Sequence, residues 1–160
     1  MFTSALKLGL APIKPRQLKV FQMSATGLAK ADGMFGKSDP YCRILLDGVE
    51  VARTTVKKNQ LSPVWTDERF ELDLPGDLNH CTLSFEVFDY DKMGGHEFLG
   101  TVRVDPAQLA AVGGSGDEKV IHQFPLEPKH ARDAGGKKKK SDKYVKGDLQ
   151  FEMYVEIPHT

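Results

Sequence analysis

The side chains with the clearest chemical potential lie in a short stretch from Phe88 to Gly100. Asp89, Asp91 and Glu97 place three carboxylates within nine residues. The apolar alternation of residues 81–88 indicates a strand that leads into this stretch. Three like charges between two strands repel one another, and a hard cation with oxygen ligands would offset that repulsion. Taken alone, the stretch fits a cation loop and a solvated acidic hairpin tip equally well.

The stretch is not an EF-hand. Asp89, Asp91 and Gly94 match the first, third and sixth positions of that loop. The twelfth position is Gly100, where an EF-hand needs a bidentate glutamate, and a strand pattern precedes the loop instead of a helix. The spacing therefore excludes this type of calcium loop.

Another acidic loop, which we call the first acidic loop, lies far upstream, between Asp32 and Asp39, and is followed by Pro40. Strand patterns flank it as they flank the stretch from Phe88 to Gly100, which we call the second acidic loop. If the fold brings both loops to the same end of the molecule, their carboxylates can form one cup for a divalent cation.

Four successive motifs resemble those of a C2 domain, in the order typical of that family and over about residues 16–157. They are Lys37-Ser38-Asp39-Pro40-Tyr41, Leu61-Ser62-Pro63-Val64-Trp65, Phe88-Asp89-Tyr90-Asp91 and Glu97-Phe98-Leu99-Gly100. The resemblance implies a module that binds anionic phospholipid membranes in a Ca²⁺-dependent manner. It assigns the metal ligands to Asp32, Asp39, Asp89, Asp91 and Glu97.

Two features depart from the family pattern. Asp32 and Asp39 are seven positions apart, one more than usual, so that a bulge at Gly33 must deliver Asp32. Glu97 stands where aspartate is commoner. These departures keep a second hypothesis open, in which the chain is a Ca²⁺-independent protein-interaction or scaffold domain.

Large apolar residues interrupt both acidic loops. Met34 and Phe35 lie in the first loop and Met93 in the second. Apolar side chains on exposed, charged loops favour insertion into a bilayer interface. The alternative for Phe35 is that it folds back and caps the core.

The remaining pattern predicts an all-β fold, an eight-stranded antiparallel β-sandwich with one short helix. We expect the helix over residues 105–111, because Asp105 is a good N-cap and Pro106 suits the first helical position. The expected strands cover residues 18–25, 41–46, 49–56, 70–74, 81–88, 98–104, 120–126 and 149–157. The resemblance implies the type II permutation, with both termini at the end opposite the cation loops.

We divide the chain into an N-terminal tail, residues 1–15, and a C2 domain, residues 16–160. A polar insertion over residues 127–146 interrupts the domain. It holds a basic run of Lys137, Lys138, Lys139 and Lys140. Because strands alternate in direction, this insertion should emerge beside the acidic loops, where the basic run would attract an anionic membrane.

A further basic set lies on or near the second and third predicted strands: Arg43, Arg53, Lys57 and Lys58. In C2 domains this face can bind phosphoinositide headgroups. A solvated charged face is the alternative that we favour. In the neighbouring loop, we expect Trp65 to be a packed anchor and not a platform for a ligand.

Composition, net charge and motifs narrow the range of possible functions. The chain has 160 residues, a formal net charge of zero and 40% hydrophobic residues, which suits one globular domain. We see no catalytic triad, phosphate-binding glycine loop or carboxylate dyad, and the neutral charge argues against a nucleic-acid partner. We therefore expect a non-enzymatic, monomeric, cytoplasmic protein that becomes peripheral to a membrane on binding Ca²⁺. A targeting fragment of a larger enzyme remains an alternative.

Cys42 and Cys81, inside strand patterns, are expected to be buried free thiols.

Overall fold

The computed structural model of the protein describes residues 14–31, 36–112, 120–129 and 142–156. Within these ranges the chain forms nine strands and one short helix, α1 (Pro106–Ala110). The strands are β1 (Gln17–Thr26), β2 (Pro40–Leu46), β3 (Val49–Arg53), β4 (Val64–Trp65), β5 (Phe70–Asp73), β6 (Leu83–Asp89), β7 (Glu97–Val104), β8 (Val120–Pro125) and β9 (Asp148–Glu156).

Two antiparallel sheets pack face to face, which confirms the predicted all-β sandwich. One sheet has the order β3-β2-β6-β7. In the other, β9 lies between β8 and β1, and both β4 and β5 pair with the free side of β1. Phe85 of the first sheet stacks on Phe151 of the second, with ring centroids 4.2 Å apart. Both side chains are fully buried, so this contact lies at the centre of the core.

The eight predicted strands are all present, and the ninth is β4, which falls within a predicted loop. Its two residues pair with Met23 and Ser24 of β1. Two residues are too few to show a period of two, so sequence patterning missed this strand. Trp65 is nevertheless the packed anchor that we expected, because it is fully buried and its Nε1 donates a hydrogen bond to the Thr55 carbonyl, 2.9 Å away.

The helix is confirmed with a complete capping box. Gln108 N–H donates to Asp105 Oδ1 at 2.8 Å, and Asp105 N–H donates to Gln108 Oε1 at 3.0 Å. These bonds satisfy backbone donors that a helix of this length would otherwise leave free. The two cysteines are buried free thiols, as expected, and burial raises the pKa of each thiol.

Strand register brings the two acidic loops to one end of the sandwich, which we call the acidic end. Thr26 of β1 faces Asp148 of β9, while Gln17 faces Glu156 at the opposite end. Asp89 faces both Pro40 of β2 and Glu97 of β7. The first strand thus begins, and the last strand finishes, away from the acidic loops, which confirms the type II arrangement.

The ends of the predicted basic insertion are joined to each other at the acidic end. Lys129 N–H donates to Oδ1 of the buried Asp142 at 2.8 Å, and Leu126 N–H donates to the Gly147 carbonyl at 2.9 Å. Lys137 to Lys140 lie outside the described residues. No helix in the described ranges is long and apolar enough to span a membrane.

Gly147, which directly follows the insertion, lies against the end of β1. Its substitution therefore tests whether the end of the insertion is packed against β1. A Cβ at Gly147, where φ is +90°, would contact the Thr26 carbonyl and lie 2.7 Å from the Gly27 carbonyl. We expect Gly147→Ala to lower the free energy of unfolding by about 2–4 kcal/mol, from backbone strain together with overpacking. Urea denaturation measures this loss.

Gly48→Ala is the matched control for this prediction. Gly48 also has a positive φ, +79°, but a Cβ there would meet nothing within 4 Å. It should lose only the strain contribution, about 1 kcal/mol. Equal losses in the two variants would contradict the close approach of Gly147 to β1.

Candidate functional site

The first acidic loop is closed by Ser38, whose side chain is buried. Its Oγ donates to the Ala29 carbonyl at 2.6 Å and accepts a hydrogen bond from Ala31 N–H at 3.0 Å. Ser38 therefore ties the start of the loop to its end. This bond pattern fixes the position of Asp39, the next residue along the chain.

Asp39 is half-buried and contacts the loop between β3 and β4. Its Oδ1 accepts a hydrogen bond from Asn59 N–H at 2.7 Å. Two backbone hydrogen bonds hold the same loop against the first one, from Gln60 N–H to the Ser38 carbonyl and from Lys57 N–H to the Pro40 carbonyl. The carboxylate of Asp39 thus has one oxygen engaged by a backbone amide.

Asp89 connects the two acidic loops directly. It ends β6, is only 2% exposed, and accepts a hydrogen bond at Oδ1 from Asp39 N–H, 2.7 Å away. Tyr90 N–H returns a hydrogen bond to the Asp39 carbonyl at 2.9 Å. The structure therefore brings Asp39 and Asp89, 50 residues apart in sequence, into contact.

Asp91 and Glu97 lie at the two sides of the second acidic loop and are exposed. Asp91 Oδ1 accepts a hydrogen bond from Met93 N–H at 2.9 Å, which closes a local turn. Gly94 and Gly95 complete the turn with φ values of +88° and +70°, a backbone region that glycine adopts without strain. Met93, at the tip, is 93% exposed.

An aromatic cluster supports this second loop from the outer face of the β3-β2-β6-β7 sheet. Tyr41 Oη and His96 Nδ1 share a hydrogen bond of 2.7 Å, and the His96 ring lies 4.8 Å from that of Tyr90. Burial raises the pKa of Tyr41. Sequence reasoning missed this role of His96, because only the strand register shows that it lies beside Tyr41.

The donor chemistry of the acidic end suits calcium, since every candidate ligand is a carboxylate oxygen and no thiolate is involved. The described residues do not, however, bring three potential ligands into one cluster. Asp39 and Asp91 each turn one oxygen toward a backbone N–H, which leaves the second oxygen available for a cation. Asp32, the fifth predicted ligand, lies outside the described residues, as do Met34 and Phe35.

The predicted headgroup face is largely neutralised by ion pairs. Arg43 Nε and Nη2 both donate to Glu86 Oε1, at 3.0 and 2.8 Å. Arg53 binds both oxygens of Glu50, at 2.7 and 3.2 Å, and Glu50 also lies 3.7 Å from Arg43 Nη1. Two arginines thus face two carboxylates, whereas Lys58, in the loop that follows β3, is exposed.

A cavity of about 260 Å³ lies elsewhere, between α1 and strands β8 and β9. It is lined mainly by apolar side chains, with His122 and Gln108 as its polar members. Burial lowers the pKa of His122, so its ring is neutral at pH 7. The cavity reaches Val104, at the end of β7 away from the acidic loops, and is separate from the candidate cation site.

Comparison with known proteins agrees with this architecture. The family model described as C2 domain matches residues 16–126. The chain belongs to the C2 domain family. The match ends before β9, yet the structure places β9 in the centre of a sheet, so this C2 domain extends beyond the matched residues.

Curated relatives of this C2 domain include plant and animal synaptotagmins. Synaptotagmin-3 of Arabidopsis thaliana is 36% identical over 142 residues, which cover 87% of this chain and 25% of the relative. Synaptotagmin-5 of Mus musculus is 40% identical over 105 residues, covering 62% of this chain and 26% of the relative. This C2 domain therefore spans about a quarter of the length of the curated relatives it matches.

Two solved structures show the same fold. A C2 domain of a plant extended synaptotagmin 1 superposes with a TM-score of 0.68 at 25% identity, covering 94% of this chain and 100% of that one. The calcium-bound pair of C2 domains of extended synaptotagmin 2 gives a TM-score of 0.66 at 23% identity, covering 91% of this chain and 47% of that one.

The contact between Asp39 and Asp89 can be tested without any metal. Asp89→Asn keeps an oxygen that can accept the Asp39 N–H, so we expect a free energy of unfolding within about 1 kcal/mol of the parent value. Asp89→Ala removes the acceptor and should cost about 1–3 kcal/mol. Both are measured by denaturation in a chelating buffer. If the two variants lose equal stability, the negative charge of Asp89 stabilises the fold and the hydrogen bond does not.

Proposed function

We propose that this C2 domain binds anionic phospholipid membranes in a Ca²⁺-dependent manner. The observation that carries the proposal is the meeting of two acidic loops, from distant parts of the chain, at one end of the sandwich through Asp39 and Asp89. At the same end, Asp91 and Glu97 are exposed and Met93 projects into solvent.

Calcium would be held by the carboxylates of this end. Asp39, Asp89, Asp91 and Glu97 come from described segments, and Asp32 would complete the set. Calcium accepts six to eight oxygens in flexible geometry, so mixed monodentate and bidentate carboxylates can serve it. One structure with this fold was solved with calcium bound, but at 23% identity the likeness concerns the fold alone.

Membrane attraction would then depend on charge. Without a cation, the carboxylates repel anionic lipid, and bound calcium reverses the local sign so that lipid phosphates can complete its coordination. Exposed lysines in the segments around the acidic end would add attraction of about 1 kcal/mol each near an anionic surface. They include Lys37, Lys58, Lys92, Lys143 and Lys146, and the run Lys137 to Lys140 would reinforce them.

The apolar loop residues would anchor the complex. Met93 is almost fully exposed, so its side chain is free to enter the interface. Met34 and Phe35 would act in the same way from the first loop. The ion pairs of Arg43 and Arg53 with Glu50 and Glu86 make their face a weaker candidate for headgroups than the acidic end.

This proposal describes a non-enzymatic, monomeric targeting module, formed by residues 16–160, that moves from the cytoplasm to a membrane surface when Ca²⁺ rises.

A second candidate, a Ca²⁺-independent protein-interaction domain, is favoured by one observation. Within the described ranges no three acidic groups converge, and Asp39, Asp89 and Asp91 already accept backbone hydrogen bonds.

A calcium titration separates the two candidates. Excess Ca²⁺ should raise the melting temperature, because a ligand bound by the native state alone stabilises it, by about 2.7 kcal/mol at a concentration 100 times its dissociation constant. Mg²⁺ should stabilise less, since it sheds water reluctantly and needs a tighter octahedron. Asp89→Asn combined with Asp91→Asn should abolish the shift. A parent protein that does not respond to Ca²⁺ would favour the protein-interaction domain.

Vesicle cosedimentation tests the membrane contact. With Ca²⁺ and anionic vesicles, Met93→Ala should weaken binding several-fold, because the variant loses apolar area that would enter the bilayer interface. Val49→Ala is the matched control, as Val49 is 64% exposed but lies at the β2–β3 turn, away from the acidic end. Equal binding by both variants and the parent would show that the Met93 tip does not touch the membrane.

A further inference from the structure

The loop between β3 and β4 contributes an unusual backbone conformation to the acidic end. Asn59 has a φ of +56°, in the left-handed region that most residues avoid and that asparagine tolerates. In this conformation the backbone N–H and the side-chain oxygen of Asn59 both face the first acidic loop. Its N–H donates to Asp39 Oδ1 at 2.7 Å, and its side-chain Oδ1 accepts a hydrogen bond from Lys37 N–H at 2.9 Å.

The two bonds hold the first loop on both sides of Ser38. Ser38 is itself buried and bonded to Ala29 and Ala31, so the backbone of residues 37–39 is restrained at three successive positions. The bond to Lys37 keeps the Asn59 loop in register, and the bond to Asp39 then directs the carboxylate.

The restraint continues from Asn59 to the second acidic loop. Asn59 N–H bonds the Asp39 carboxylate, and Asp39 N–H bonds the Asp89 carboxylate at 2.7 Å. These hydrogen bonds connect three loops: the loop between β3 and β4, the first acidic loop and the second acidic loop. Asn59 occupies only one of the two carboxylate oxygens of Asp39. Partners that orient a metal ligand in this way typically change metal affinity 10- to 100-fold when they are removed.

We infer that Asn59 is a positioning residue for the cation site, which orients Asp39 from outside the two acidic loops. The inference rests on the proposed calcium function, and it adds a third loop to the site. Asn59 itself would not touch the metal. It acts through the direction of the Asp39 carboxylate, so its removal should alter calcium affinity more than it alters stability.

The test uses three variants and isothermal titration of CaCl₂ into the calcium-free protein. Asn59→Gly keeps the left-handed backbone and the N–H but removes the oxygen that accepts Lys37 N–H. We expect its calcium dissociation constant to rise about three- to tenfold, the range expected for loss of one supporting hydrogen bond. Asn59→Asp keeps both the acceptor oxygen and tolerance of positive φ, and should bind calcium at least as tightly as the parent.

Asp47→Gly is the matched control, because Asp47 has a φ of +52° and its Oδ1 accepts a hydrogen bond from Thr82 N–H at 2.9 Å. It lies at the β2–β3 turn, at the opposite end of the sandwich. Its melting temperature without calcium should fall about as much as that of Asn59→Gly, while its calcium affinity should not change.

The outcomes distinguish the inference from the function on which it rests. If the parent protein gives no binding heat and no melting shift with calcium, both are overturned. If the parent binds calcium and Asn59→Gly binds it equally well, only the role of Asn59 is overturned. A loss in Asn59→Asp equal to that in Asn59→Gly would also refute it, because the acceptor oxygen would then be irrelevant.

Discussion

The hydrogen bond from Asp39 N–H to Asp89 Oδ1 is the contact on which the acidic end depends. It joins two loops that are far apart in sequence, and it gives the buried carboxylate of Asp89 a donor. A buried carboxylate without such a partner would be strongly disfavoured. The carboxylates of Asp39 and Asp91 likewise accept hydrogen bonds from backbone N–H groups. Backbone amides therefore help several carboxylates to share one end of the fold.

Charges on the outer face of the β3-β2-β6-β7 sheet are arranged in a different way. There Arg43 and Arg53 alternate with Glu50 and Glu86, so the charges cancel within the sheet surface. Both guanidinium groups also lie over aromatic rings, Phe88 and Tyr41, at 5.3 and 5.2 Å from the ring centroids. Such pairing stabilises the face locally but leaves little free charge for a ligand. The acidic end, with exposed Asp91 and Glu97, retains charge that a partner can use.

The positions of the main strands and the helix could be predicted because each depends on neighbouring residues. β9 alternates buried and exposed side chains almost without interruption, and α1 has its capping box within four residues. The acidic clusters were equally visible, since Asp89, Asp91 and Glu97 are close in sequence. β4 was missed, because two residues carry no period and their pairing with Met23 and Ser24 depends on a strand far away in the sequence.

The sequence by itself therefore determined the fold class, the family, the eight longer strands and the chemical type of the candidate site. These follow from side-chain periodicity and from motifs of a few consecutive residues. Only the tertiary structure decided that Asn59 supports Asp39, that His96 bonds Tyr41, and that Glu50 and Glu86 pair with the two arginines. Each of these contacts depends on strand register or on loop packing, and a shift of one residue in a strand would turn its side chains to the other face. Such geometry follows from the assembled sheets as a whole, and no local stretch of sequence contains it.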